Sequence, residues 1–203
     1  GAPYTICAVN PATDDVRLWL RDADGAILGT FDRLDAALGA EDLSLGIAMN
    51  GGMYHQDRRP VGLYVEDGRE IAPLVTREGP GNFGLLPNGV LCLTSDSASI
   101  LETGAYAETR PACRFATQSG PMLVIDGALH PRFLEDGTSV YIRNGVGTSE
   151  DGRRVVFAIS DAAVNFHDFA TLFRDTLGLP RLAAITSQDN EASRGLLEKL
   201  GFR

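Results

Sequence analysis

Residues 114–127 read RFATQSGPMLVIDG, and the way this stretch divides decides the fold. Arg114 to Gln118 and Met122 to Ile125 are short runs whose alternation or β-branched content suits strands. Ser119-Gly120-Pro121 interrupts them, and Asp126-Gly127 is a dipeptide that closes hairpins. The stretch parses as strand, break, strand, turn.

The same pattern extends in both directions. Upstream, strands are predicted at Tyr4 to Val9, Val16 to Leu20, Ser44 to Met49, Val61 to Val65, Asn82 to Leu86 and Val90 to Leu93. Downstream they are predicted at Ser139 to Arg143 and Arg154 to Ser160. Turn dipeptides stand at Asp24-Gly25, Asp67-Gly68, Asn88-Gly89, Asp136-Gly137 and Asp151-Gly152. Helical spacing is confined to Arg33 to Leu38, to NFHDFATLFRDTLG from Asn165, and to DNEASRGLLEKLGF from Asp189. In the second of these, Phe166, Phe169, Leu172, Phe173 and Leu177 form one apolar face and Gly178 ends the helix, so the stripe packs on a sheet. The fold class is α+β: a single domain, a largely antiparallel or mixed β-sheet with hairpins, and late helices packed on it.

Composition agrees with a folded, loop-rich chain. The 203 residues suffice for one sizeable core, with 44% hydrophobic and 22% charged residues, and 23 Gly and 10 Pro supply turns. A net charge of -9 argues against a nucleic-acid partner, which needs clustered Lys and Arg to displace counterions. No run reaches the roughly 18 apolar residues of a membrane span, and no signal peptide is recognised in these residues. Cys7, Cys92 and Cys113 lack metal-ligand spacing and lie in apolar runs. They read as buried thiols, although the count also allows one disulfide with a thiol left over.

Four glycine-rich polar clusters fall where strands should end: MNGGMY with RRPVGLY, GPGNFGLLPNGV, ATQSGPMLVIDG, and YIRNGVGTSEDG followed by ISDAAVNF. Glycine lets backbone approach a ligand closely, and each cluster alone reads equally as a tight turn. Gln118, Ser119, Arg143 and Asn144 beside those glycines favour a site, because buried donors are costly without partners. There is no G-x-S-x-G elbow, and His55, His130 and His167 have no metal-binding arrangement. GPGNFG has the G-x-G-x-x-G spacing but no helical pattern follows it as a dinucleotide fingerprint requires, and no Walker loop is present, so no cofactor and no metal are predicted.

In this order and spacing, AMNGGMY, RPVGLYVEDG, GNFGLLPNGV, ATQSGPMLVIDG, IRNGVGTSEDGRRVVFAIS and NFHDFATLFRDTLGLP resemble the phosphodiester glycosidase family, in its bacterial branch. The resemblance runs from Tyr4 to about Pro180, giving a predicted domain over 1–180 and an atypical strand and helix over 181–203. It implies cleavage of the bond between a sugar's anomeric carbon and a phosphodiester oxygen, as in an N-acetylglucosamine-1-phosphodiester. It also implies a small sugar-phosphodiester or glycan as partner, a place in glycan or exopolysaccharide metabolism, and a periplasmic or secreted location. Carried over residue by residue, it sets Asn50, Gly51 and Gly52 on one wall, Gln118, Ser119, Gly120 and Pro121 on a second, and Arg143, Asn144 and Gly145 on a third. Arg143 would hold phosphate, Asn50, Gln118 and Asn144 would orient oxygens, and Asp161 would be the carboxylate, ahead of Asp126, which reads first as a turn residue. The competing readings make Arg143 an ion-pair partner and Asp161 a helix N-cap.

The chain departs from the family near its end. Thr186 and Ser187 stand where an Asp-Gly pair is expected, and the tail with Asn190, Ser193 and LLEKLGF resembles the close of a GNAT-type N-acetyltransferase, without that family's pyrophosphate loop. The alternative function is therefore an inactive sugar-phosphate binding domain.

Overall fold

In the computed structural model, which describes residues 2–79 and 81–185, the core is built from two antiparallel sheets laid face to face. In chain order the elements are β1 (Tyr4–Val9), α1 (Phe31–Gly39), β2 (Tyr64–Glu66), β3 (Arg69–Ala72), β4 (Gly89–Leu93), β5 (Ala98–Glu102), α2 (Thr103–Thr109), β6 (Phe115–Ser119), β7 (Met122–Ile125), β8 (Ala128–Leu129), β9 (Asn144–Thr148), β10 (Val155–Ser160), α3 (Phe166–Thr171) and β11 (Arg181–Ile185). A π-helical turn, Leu172–Thr176, continues α3. The first sheet runs β1-β10-β9-β11-β7-β8 and the second β3-β2-β6-β4-β5. The chain is α+β with late helices, as its pattern predicts.

Each sheet buries both faces. Met122, Val146, Val155 and Ala183 of the first sheet meet Leu91, Ile100 and Phe115 of the second to form the central core. On the far side of the first sheet, Phe166, Phe169 and Phe173 pack on Val156, Ala158 and Leu182, so the helical stripe is core. On the far side of the second sheet, Tyr106 of α2 covers Leu63, Val90 and Ala116.

Opening the chain at Ser119 explains this two-sheet plan. β6 belongs to the second sheet and β7 to the first, so Gly120-Pro121 carries the chain from one sheet to the other. The Asp67-Gly68 and Asp126-Gly127 turns have both residues at positive φ (46° and 75°, 48° and 81°), the geometry that matches strand twist in a two-residue hairpin.

Several predicted elements are displaced. Val16 to Leu20 is not a strand: the Leu20 N–H donates to the Glu66 carboxylate at 3.2 Å instead of a ladder partner. Ser44 to Met49 and Asn82 to Leu86 also lack strand pairing. Asn88-Gly89 is no hairpin turn, since Asn88 is fully buried and Gly89 opens β4. Ser139 to Arg143 gives way to Asn144–Thr148, and the glycines there are strand residues rather than a loop. A Cβ on Gly145 would lie 3.0 Å from Phe169, and one on Gly147 2.9 Å from Phe173, so their absence lets the helical layer seat on β9. Cys92 and Cys113 are not free thiols but a disulfide under α2, leaving Cys7 as a free cysteine. The helix predicted from Asp189 lies outside the described residues.

Candidate active site

Thr5, Ile159 and Asn144 form one row across β1, β10 and β9, and Ile185 at the end of β11 continues it beyond Asn144. Strand alternation puts Thr5, Ile159 and Asn144 on the same face as Phe157 and Val155, the face turned toward the second sheet. Residues 44–53 have no regular structure and cover the row. Ile47, Ala48 and Met49 join Thr5, Asn144, Phe157 and Ile159 around a small, open, mostly apolar cleft of about 20 Å³.

Asn50 ties this segment down. The Asn144 Nδ2–H donates to Asn50 Oδ1 at 2.8 Å, and Asn50 Nδ2 donates to the Gly52 carbonyl at 3.1 Å. Gly51 and Gly52 allow the approach: a Cβ on Gly51 would stand 3.0 Å from Leu18, and one on Gly52 2.7 Å from Thr117 Oγ1. The segment thus bridges β9 of one sheet and β6 of the other. Asn144 is fully buried and, among the described residues, its Oδ1 has no hydrogen-bond partner.

Asp161 follows β10 and is exposed. Its backbone N–H donates to the Pro3 carbonyl at 3.0 Å, and its Oδ1 accepts from Thr5 Oγ1 at 3.0 Å. It is not an N-cap: Asn165 caps α3 by accepting from the Asp168 N–H at 2.8 Å. Asp126 stays a turn residue, paired at the surface with Arg181 at 3.1 Å.

Arg143 and Gln118 turn the other way. Arg143 is fully buried on the helical side, its guanidinium 3.5 Å from the centre of the Phe166 ring. Its Nε donates to the Val164 carbonyl at 2.8 Å and its Nη2 to the Ser139 carbonyl at 2.6 Å, while Nη1 has no partner among the described residues. Among the described residues no carboxylate pairs with it, so the ion-pair reading is corrected. Burial brings its pKa down to about 10, which still leaves it charged at neutral pH. Gln118 is spent within the fold: Oε1 accepts from the Leu63 and Val75 N–H groups, and Nε2 donates to the Val75 carbonyl and Thr103 Oγ1. With all four places taken, its predicted contact with a sugar is corrected to that of a strut. At Gly145 a Cβ would point to the helical side, 3.0 Å from Phe169.

Ser119 and Thr117 share the inner face of β6 with Phe115. Gly120 beyond them lies against Asn88, whose Nδ2 donates to the Phe83 carbonyl at 2.8 Å and whose Oδ1 has no partner among the described residues. Asn88 and Thr5 are the neighbours that sequence reasoning missed. Asn88 was hidden in a turn dipeptide, and Thr5 in a strand where only alternation could have marked it.

The family model for phosphodiester glycosidases matches residues 44–185, well over half of the chain. The chain belongs to the phosphodiester glycosidase family. It is 37% identical over 174 residues to the uncharacterised protein YigE of Escherichia coli strain K12, covering 86% of this chain and 67% of that one. It is also similar, at 15% identity and a TM-score of 0.47, to the pro-peptide-inhibited catalytic domain of zebrafish N-acetylglucosamine-1-phosphodiester alpha-N-acetylglucosaminidase, covering 68% of this chain and 49% of that one. The phosphodiester glycosidase segment takes in Asn50, Ser119, Asn144 and Asp161 but not Thr5. No described helix is long and apolar enough to cross a membrane.

Proposed function

We propose that this chain hydrolyses the bond between the anomeric carbon of a sugar and the oxygen of a phosphodiester. Water supplies oxygen to the anomeric carbon, the carbon–oxygen bond to phosphate breaks, and free sugar and a phosphomonoester leave. The observation that carries this reading is that two residues lining one cleft, Asn144 and Thr5, hold Asn50 and Asp161 beside it, in a chain of this family. Asp161 is the carboxylate that takes the proton of the attacking water or faces the developing oxocarbenium. Asn50 and Asn144 orient sugar hydroxyls, with the unpartnered Asn144 Oδ1 as acceptor. Gly51, Gly52, Ser119 and Gly120 shape the wall. Arg143 acts from behind the sheet: its uncompensated charge, weakly screened where it lies, favours an anionic diester at the strand ends.

The substrate class is a sugar-1-phosphodiester such as an N-acetylglucosamine-1-phosphodiester, in glycan or exopolysaccharide metabolism. A periplasmic or secreted location fits the Cys92–Cys113 disulfide, since such bonds persist in oxidising compartments. Purified protein incubated with such a diester should release reducing sugar and phosphomonoester in equal amounts. Asp161→Asn, at an exposed position, should lower kcat at least about a hundredfold with the unfolding midpoint unchanged. Full activity in that variant would remove Asp161 from the mechanism.

A second reading, binding without turnover, is favoured by one observation. β11 ends at Ile185 opposite Asn144, and the two residues that follow are Thr186 and Ser187 rather than an Asp-Gly pair. Calorimetric binding of a sugar phosphate without release of product would support it.

A further inference from the structure

We infer that Thr5 is a positioning residue for the Asp161 carboxylate, so that the N-terminal strand completes the candidate active site. The inference rests on the proposed function. β1 lies wholly outside the family-matched segment of residues 44–185, so nothing in that match assigns it a role.

The geometry is specific. β1 pairs with β10 in register, Tyr4 opposite Ser160 and Thr5 opposite Ile159. Asp161 lies one residue past the last pair, and its N–H reaches the Pro3 carbonyl, which extends the ladder by one rung and fixes the backbone. Asp161 and Ile159 are two apart, so the carboxylate leaves the strand on the cleft face. Thr5 projects on that face too, lining the cleft with Ile159 and Asn144. From there its Oγ1–H donates to Asp161 Oδ1 at 3.0 Å. One carboxylate oxygen is oriented by the hydroxyl, and the rotamer of a surface aspartate, otherwise free to turn, is fixed beside the cleft. A threonine suits the task because its branched Cβ restricts χ1.

The test uses the full chain. Thr5→Val keeps the shape and removes the donor; Thr5→Ser keeps the donor. T5V should lower kcat about tenfold or more with KM within about twofold, T5S should stay close to wild type, and all three should unfold at the same temperature. In a double-mutant cycle, T5V should have no further effect once Asp161→Asn is present. T5V with wild-type kcat, T5S as impaired as T5V, or T5V and D161N effects that multiply independently would each overturn the inference. A wild-type protein that releases no sugar counts against hydrolysis instead. The same cycle is then read from calorimetric affinity for N-acetylglucosamine 1-phosphate: non-additive losses support the Thr5–Asp161 link, and additive losses or no effect of T5V overturn it.

Discussion

At Gly120 a single added carbon would stand 1.8 Å from Asn88 Oδ1, closer than any contact a real side chain makes. The amide cannot retreat easily, because Asn88 is held at its Nδ2 by the Phe83 carbonyl and at its own carbonyl by the N–H and hydroxyl of Thr103. Gly120→Ala should therefore destabilise the protein by about 1–3 kcal/mol, the usual range for overpacking. Urea unfolding checks this, and Asn88→Ala in the same background should recover part of the loss by opening the space. An unchanged midpoint in Gly120→Ala would mean that the turn has room to shift. Arg143 gives the complementary lesson at this scale: its chemistry suggests phosphate, yet three of its contacts are two backbone carbonyls and a phenylalanine ring.

Among the elements, the second sheet has the weaker covering. Its outer face is closed by α2, only seven residues long, over Leu63, Val90 and Ala116. The Cys92–Cys113 bond spans 21 residues of sequence and ties β4 to the segment entering β6, around the hairpin and helix between them. Closing a loop of that length restricts the unfolded chain by roughly 3 kcal/mol in the chain-entropy account. Cys92→Ser should cost about that much in denaturant unfolding, and the same loss should appear in wild type treated with a reductant. A variant as stable as wild type would show that packing alone holds α2.

For the molecule as a whole, Glu66 links stability to pH. Burial raises its pKa, and this outweighs the hydrogen bonds from Tyr64 and the Leu20 N–H that favour the charged form. A carboxyl that holds its proton more tightly folded than unfolded contributes stability that is full below its unfolded value of 4.5 and is lost as pH rises through the folded value. Glu66→Gln should therefore be more stable than wild type at neutral pH, by a small margin given the exposure of the group. The difference should close as pH falls below that range, as measured by urea unfolding at several pH values. A gap that widens toward low pH would reverse the assignment.

The sequence by itself determined the antiparallel, hairpin-rich class, the strands Tyr4–Val9 and Met122–Ile125, the Asp-Gly hairpins and the buried face of α3. These rest on alternation, turn chemistry and helical spacing, which are local properties. It also marked Asn144, because donors beside glycines at strand ends are costly without partners, whereas Asn50 entered through the family resemblance. It misread RNGVGT as a loop, because a glycine that makes room for Phe169 looks the same in sequence as one that turns the chain. It could not tell that Gln118 and Arg143 face away from Ser119 and Asn144, since that depends on which face each sheet turns to the other. Only the tertiary structure decided this, and with it the meeting of Thr5 and Asp161, 156 residues apart in the chain: one strand pairing brings them within hydrogen-bonding reach, and no local pattern encodes it.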